Sequence, residues 1–208
     1  LNPLKVVITN MNDELLTLTS ARHPNLPELG SREIPFTRDI VIDAADFSED
    51  PPKGFKRLVL GGEVRLRHSY VIRCDEVVKN ATGEIVELRC SADLNTLGKN
   101  PEGRKVKGVI QWVSASKGVA AEVRLYDRLF TLPNPESGDD LLASLNPDAF
   151  QTLQAWVEPS LASAKPEDHF QFEREGYFVA DLVDCVNGKL VFNKTVGLRD
   201  SWGVKGGD

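Results

Sequence analysis

The chain has 208 residues, of which 41% are hydrophobic and 27% charged, which reads as a globular protein, neither a disordered chain nor a membrane protein. No apolar run approaches the roughly 18 residues that span a bilayer. With 25 basic and 31 acidic residues the net charge is -6, which argues against a general nucleic-acid binder but says nothing about local patches.

At about 150 residues per domain the length allows one to two domains. The cysteines Cys74, Cys90 and Cys185 cannot all pair within the chain. That odd count, with no signal peptide, points to reduced thiols in the cytoplasm. The chain begins at Leu1 and its only methionine is Met11, so it reads as a fragment or a processed chain.

In chain order, Leu4 to Ile8 is rich in β-branched residues and predicts a strand, as does Asp39 to Asp43. Ala44 to Phe47 is a short helical candidate. Phe55 to Leu60 and Glu63 to Arg67 flank Gly61-Gly62 and predict a hairpin with a two-residue turn. In that register Lys56 faces Arg67. Ser69 to Lys79 and Glu84 to Cys90 predict a second hairpin, closed by Asn80 to Gly83. A bulge in it would make Cys74 and Cys90 cross-strand neighbours.

Further strands are expected at Val106 to Val113 and Val119 to Tyr126. Asp139 to Leu145 and Leu161 to Lys165 are the remaining helical candidates. Phe170 to Leu182 alternates in part, with Gly176 as a bend or bulge, and Val186 to Lys189 carries a type I′ hairpin signal. Many short strands with frequent turns indicate an all-β sandwich or barrel. The polar, basic stretch Asn95 to Gly108 is the best boundary, dividing the chain into 1–107 and 108–208.

No Walker A loop, GxGxxG, GxSxG, CxxC or HExxH occurs. His23, His68 and His169 are scattered. No catalytic site and no metal site are expected. The informative feature is basic: Lys53, Lys56, Arg57, Arg65, Arg67 and Arg73 stand against Glu63 alone. Charge by itself reads this first as a solvated sheet face and second as an anion or RNA site. The arginine fork matches guanine or phosphate. A second constellation spans Gln171 to Phe178, where Gln171 and Arg174 carry donors, Phe172 and Tyr177 can stack, and Gly176 permits close approach. Taken alone it reads first as an ordinary strand beside a bend and second as a site for an unpaired RNA base.

Ordered blocks then narrow the choice. They include His23-Pro24-Asn25, Phe55-Lys56-Arg57-Leu58, Glu63 to Arg67, Gly103 to Gly108, Ile110 to Ser114, Arg124 to Phe130, Gln171 to Phe178 and Phe192 to Trp202. From about Leu4 to Trp202 the chain resembles the anticodon-binding region of bacterial-type glutaminyl-tRNA synthetases.

The resemblance implies two closed six-stranded, antiparallel-type barrels with exchanged strands and few short helices. It implies that the anticodon loop of glutamine tRNA is the partner, together with an N-terminal catalytic domain of the same polypeptide, in a cytoplasmic monomer with no membrane contact. Arg67, with Arg65 nearby, resembles the group at the first anticodon base. Gln171 and Arg174 resemble readers of the middle uracil, and Lys56, Arg57 and Asn25 the group at the third base, guanine. Gly54 and His68 depart from the family pattern, and one family arginine for the middle base lies upstream of Leu1. ATP and Mg belong to the catalytic part, so no cofactor is expected in this chain. The alternatives are the same barrels from an archaeal/eukaryotic-type glutamyl-tRNA synthetase, or a stand-alone β-barrel RNA-binding protein.

Overall fold

The structure, a computed structural model, describes residues 1–137 and 140–198. Within these the chain is built from fourteen strands and short 3-10 helices of three to five residues, with no α-helix. It divides into two compact units. The first comprises 1–119 and 156–162; the second comprises 120–155 and the described residues from Ser163 onward.

The first unit holds β1 (Pro3–Ile8), β2 (Leu16–Ala21), β3 (Ser31–Phe36), β4 (Asp39–Asp43), β5 (Glu63–Leu66), β6 (Val71–Lys79), β7 (Ile85–Asp93), β8 (Val109–Ile110) and β9 (Trp112–Ser114). Seven of these form one mixed sheet in the order β8-β5-β6-β7-β1-β4-β9, and β2 and β3 pair separately. The two edge strands, β8 and β9, are one stretch of chain interrupted only at Gln111. The chain itself therefore brings the two edges together, and the sheet becomes a nearly closed barrel without exposed long edges. Counted by runs of chain, the seven strands are six.

Period-two alternation fills the interior. Val6, Ile8, Ile40, Ile42, Leu66 and Leu88 are all buried on the inner face. Trp112 closes the packing, with its ring edge-on to Phe36 at 4.8 Å and 76°.

The second unit carries β10 (Val119–Tyr126), β11 (Phe150–Val157), β12 (His169–Phe172), β13 (Gly176–Ala180) and β14 (Val191–Val196), in the sheet order β11-β10-β14-β13-β12. The outer ends of β10 and β11 are grouped with the first unit. Ala121, Val123, Phe178, Val191 and Phe192 form its buried face.

The all-β expectation holds, but its finer form needs correction. Among the described residues the second sheet is five-stranded and open rather than a closed six-stranded barrel. The stretch between β10 and β11 supplies only the isolated bridge Phe130–Leu145, so no sixth ladder forms. The pairing is also not antiparallel throughout: β1–β7, β5–β8 and β10–β14 are parallel.

Several local expectations are met. Strands form at β1 and β4, and Ala44–Asp46 is a 3-10 turn capped by Asp43, whose carboxylate accepts from the Ala45 N–H at 2.9 Å. The β6–β7 hairpin forms with a bulge between Cys74 and Glu76 that sets Cys74 opposite Cys90, both buried.

Others fail. Phe55 to Leu60 is not a strand. Gly61 N–H donates to the Cys74 carbonyl at 2.7 Å and Cys74 N–H returns to the Gly62 carbonyl at 3.2 Å. Gly61, at φ 73°, does turn the chain, with the Gly62 N–H on the Val59 carbonyl at 2.9 Å, but Gly61 and Gly62 both bond to Cys74 of β6, so no hairpin forms with Phe55 to Leu60. Asn187 and Gly188 take positive φ, as a type I′ turn needs, yet no strands flank them directly. Phe170 to Leu182 is a hairpin, not one bent strand. Of the helix expected at Asp139 to Leu145, only a 3-10 turn at Leu142–Ser144 forms among the described residues, and Asp139 lies outside them. Two turns are too few to offset helix nucleation.

A polar cluster ties β10 and β14 to the turn after β13. Asp181 accepts from Asn193 Nδ2 at 2.6 Å and from the backbone N–H groups of Asp184 and Val183 at 2.8 and 2.9 Å, with Arg124 at 3.2 Å. Led by the Asn193 bond, these donors outweigh burial and hold the carboxyl down to about 2. The folded value lies below the unfolded one. Its stabilisation is therefore complete above about pH 4 and is lost as pH falls towards 2. Asp181→Asn is expected to cost on the order of 1–2 kcal/mol at neutral pH, allowing for solvent screening, and almost nothing at pH 2. Urea unfolding of parent and variant at pH 7, 4, 3 and 2 checks this; a gap that does not shrink with acid would refute it.

Candidate anticodon interface

The first unit gathers basic side chains around an open groove of about 600 Å³ lined by residues 55–57, Gly61, Glu63, Arg73 and 104–108. Arg57 is fixed within it. Its Nε lies 3.3 Å from the buried Asp46 carboxylate, Nη1 donates to the Ala45 carbonyl at 2.7 Å, and the guanidinium sits 5.9 Å from the Phe55 ring centre. Asp46 is 5% exposed. A charge-assisted pair at that burial gives Arg57 one orientation. The 3-10 turn at Ala44–Asp46 presents both acceptors, so the Asp43 cap indirectly aims the Arg57 fork. Lys56 is exposed beside it.

Gly108 sets the width of this arrangement. A Cβ there would fall on the Lys56 carbonyl oxygen and come within 2.9 Å of Val64 Cγ2. Only glycine lets the segment carrying Lys56 and Arg57 pack directly on the segment carrying Lys105 and Lys107.

Arg65 and Arg67 do not meet Lys56 as the sequence suggested. β5 pairs with β6, Glu63 opposite Arg73, and with β8, Arg65 opposite Val109. Arg65 is spent on structure: its guanidinium donates to the carbonyls of Ser69, Thr96 and Lys99 at 2.9, 3.0 and 2.5 Å. Arg67 follows β5. Its N–H donates to the Ile110 carbonyl at 3.0 Å, and its carbonyl accepts from Trp112 Nε1 at 2.9 Å. The next residue, His68, has φ of 60° and places Nε2 3.2 Å from Ser20 Oγ. Asn25 is exposed in the β2–β3 loop, its N–H donating to His23 Nδ1 at 3.1 Å.

In the second unit, Gln171 on β12 pairs with Tyr177 on β13, and both are exposed on one face. Phe172 is not available for stacking on a base. It stacks on Phe178 at 4.3 Å and 20° and meets the edge of Phe192. Arg174 sits at the hairpin turn with φ of 71° and is exposed. At Gly176, φ is 146° and an added Cβ would meet the Val196 carbonyl oxygen, so glycine allows the hairpin to lie against β14. Arg199, Asp200, Ser201 and Trp202 of the last sequence block lie outside the described residues.

The groove also contains Arg73, a member of the basic cluster read from the sequence, and Arg104, Lys105 and Lys107, which the sequence did not place in a site. Gly103 to Gly108 had been assigned to the boundary, although its density of cations was visible.

A β-barrel with an aimed arginine fork and a basic groove defines an RNA-recognition module, and the comparisons specify its kind. Models described as tRNA synthetases class I (E and Q), anti-codon binding domain, match residues 1–93 and 109–181, and the chain belongs to this family. It is 62% identical over 208 residues to the glutamine–tRNA ligase of Ectopseudomonas mendocina, covering 98% of this chain and 37% of that protein. Against the glutamine–tRNA ligase of Pseudomonas aeruginosa strain PAO1 it is 61% identical over 208 residues, covering 98% and 37%. Against that of Vibrio campbellii it is 55% identical over 204 residues, covering 97% and 37%. The chain thus corresponds to the anticodon-binding part of such ligases and spans about 37% of their length.

Proposed function

We propose that this chain grips the anticodon loop of glutamine tRNA and reads its bases for a larger cytoplasmic ligase. The missing catalytic part uses ATP and Mg to attach glutamine, and this chain alone does not catalyse the reaction. The observation that supports the reading best is the fixed Arg57 fork: Asp46 and Ala45 hold it, and Lys56 stands beside it at the groove. Unstacked loop bases offer their Watson–Crick edges to such donors. In this reading Arg57, Lys56 and Asn25 serve the third base, Gln171 and Arg174 the middle uracil, and Arg67 the first base. Arg65 acts there only by bracing the chain around Arg67. The relatives' names favour glutamine over glutamate.

The test compares a stem-loop ending its anticodon in G with the same loop ending in C. The parent chain is expected to prefer G by roughly 1–3 kcal/mol, about 5- to 150-fold. Arg57→Ala should erase most of that preference, while Arg174→Ala should weaken both loops and keep the ratio. Equal losses on both loops with Arg57→Ala would show that the residue supplies charge alone.

A further inference from the structure

The six cations that line the groove fall into two kinds. The arginines are occupied. Arg57 is bound to Asp46, as described. Arg104 reaches Glu63 at 2.9 Å and Asp93 at 2.6 Å, and Arg73 donates to the Gly61 carbonyl at 3.2 Å. The lysines are not occupied. Lys56, Lys105 and Lys107 are exposed, and among the described residues their ammonium groups make no hydrogen bond or ion pair.

Glu63 is the only acid lining the groove, and both of its carboxylate oxygens accept from Arg104, at 3.2 and 2.9 Å. Three like charges therefore share one concavity without a counter-charge from the protein. At about 600 Å³ the groove exceeds what a single small anion needs.

An ammonium on a flexible stem is a point charge with rotating donors and lacks arginine's planar fork, so apart from Lys56, which stands beside Arg57, the groove's lysines discriminate bases poorly. They suit phosphate, whose charge is the same whatever base it carries. We propose that Lys105 and Lys107 hold backbone phosphates of the RNA strand whose base reaches Arg57, so that the groove separates grip from readout. This rests on the anticodon-loop reading above and adds to it a second set of residues with a different duty. Gly108, which seats Lys56 against the 104–108 segment, keeps the two sets at one spacing.

For a single strand, log affinity falls with log salt by about 0.7 per phosphate contact. Affinity of the 208-residue chain for the glutamine anticodon stem-loop is measured from about 50 to 200 mM salt. The Lys105→Ala/Lys107→Ala variant should show a slope shallower by about 1.4. It should therefore lose roughly sevenfold less affinity than the parent over that range. Its preference for G over C at the third base should stay unchanged. Lys105→Arg/Lys107→Arg should restore the parental slope, and circular dichroism should show the same fold in all three.

A parental slope in the alanine variant overturns the inference while leaving the anticodon reading intact. A lost G preference with unchanged slope also overturns it, because the lysines would then be reading the base. A parent chain that fails to bind the loop at all overturns both.

Discussion

Trp112→Ala is expected to destabilise the first unit by about 3–5 kcal/mol, the usual cost of removing a large aromatic from a packed core. Trp112 is 1% exposed, lies on β9 opposite Ile42, and packs edge-on against Phe36. It stands one residue beyond Gln111, where the chain joins the two edges of the sheet. A cavity there opens the barrel at its closure, where no neighbouring strand can shift to fill it. The same side chain also touches the interface, since its Nε1 holds the Arg67 carbonyl. Trp112→Phe should therefore fall between parent and alanine variant. It keeps much of the apolar area and leaves one carbonyl unpaired, for a further 1–3 kcal/mol or so. Urea titrations followed by circular dichroism give both values. A loss below about 1 kcal/mol for the alanine variant would mean that the barrel does not depend on Trp112 for closure.

What could be read from the sequence was mostly local. β1 and β4 show as β-branched runs, and the β6–β7 hairpin shows through Asn80 to Gly83, because adjacent strands joined by a short turn leave their pattern in one window. The parallel pairs leave no such pattern. Lys5 lies beside Glu87, and Glu122 beside Val191, across long stretches of chain. β2 and β3 alternate in burial, with Leu18, Ile34 and Phe36 turned inward, but the run is short and carries Ser20, Arg32, Glu33 and Pro35, which mask a strand pattern in sequence. Gly61-Gly62 does signal a turn, but sequence does not show that the turn packs on Cys74 of β6 and that Phe55 to Leu60 forms no strand to pair with β5.

The site followed the same division. The excess of cations between Lys53 and Arg73 was plain from composition. Which of them were already spent was not. Arg65 is consumed by three backbone carbonyls, whereas Arg57 is aimed by Asp46, eleven residues upstream. Arg104 is consumed by Glu63 and Asp93. Sequence shows charge, but only the fold shows which charges are already neutralised. That is why the lysines of the 104–108 segment stand out in the fold and not in the sequence motifs.

Gly108→Ala should damage both stability and RNA binding through one steric event. Gly108 is buried, and the new methyl would collide with the Lys56 carbonyl oxygen while lying 2.9 Å from Val64 Cγ2. Its own carbonyl cannot swing away freely, because it accepts from the Arg65 N–H at 2.9 Å. The yielding part is then the segment carrying Lys56 and Arg57. Overpacking of this kind costs about 1–3 kcal/mol. Moving Lys56 and Arg57 off the lysines opposite should lower affinity for the anticodon stem-loop roughly tenfold or more, since each good base contact contributes about 1–3 kcal/mol of discrimination. Gly103→Ala is the matched control. Its φ of 70° makes alanine strained, yet no atom lies within 4 Å of the added methyl. It should lose about 1–2 kcal/mol of stability and keep nearly all of its affinity and its G preference. If both variants lost affinity equally, backbone strain in the 103–108 segment, and not the spacing set at Gly108, would govern the interface.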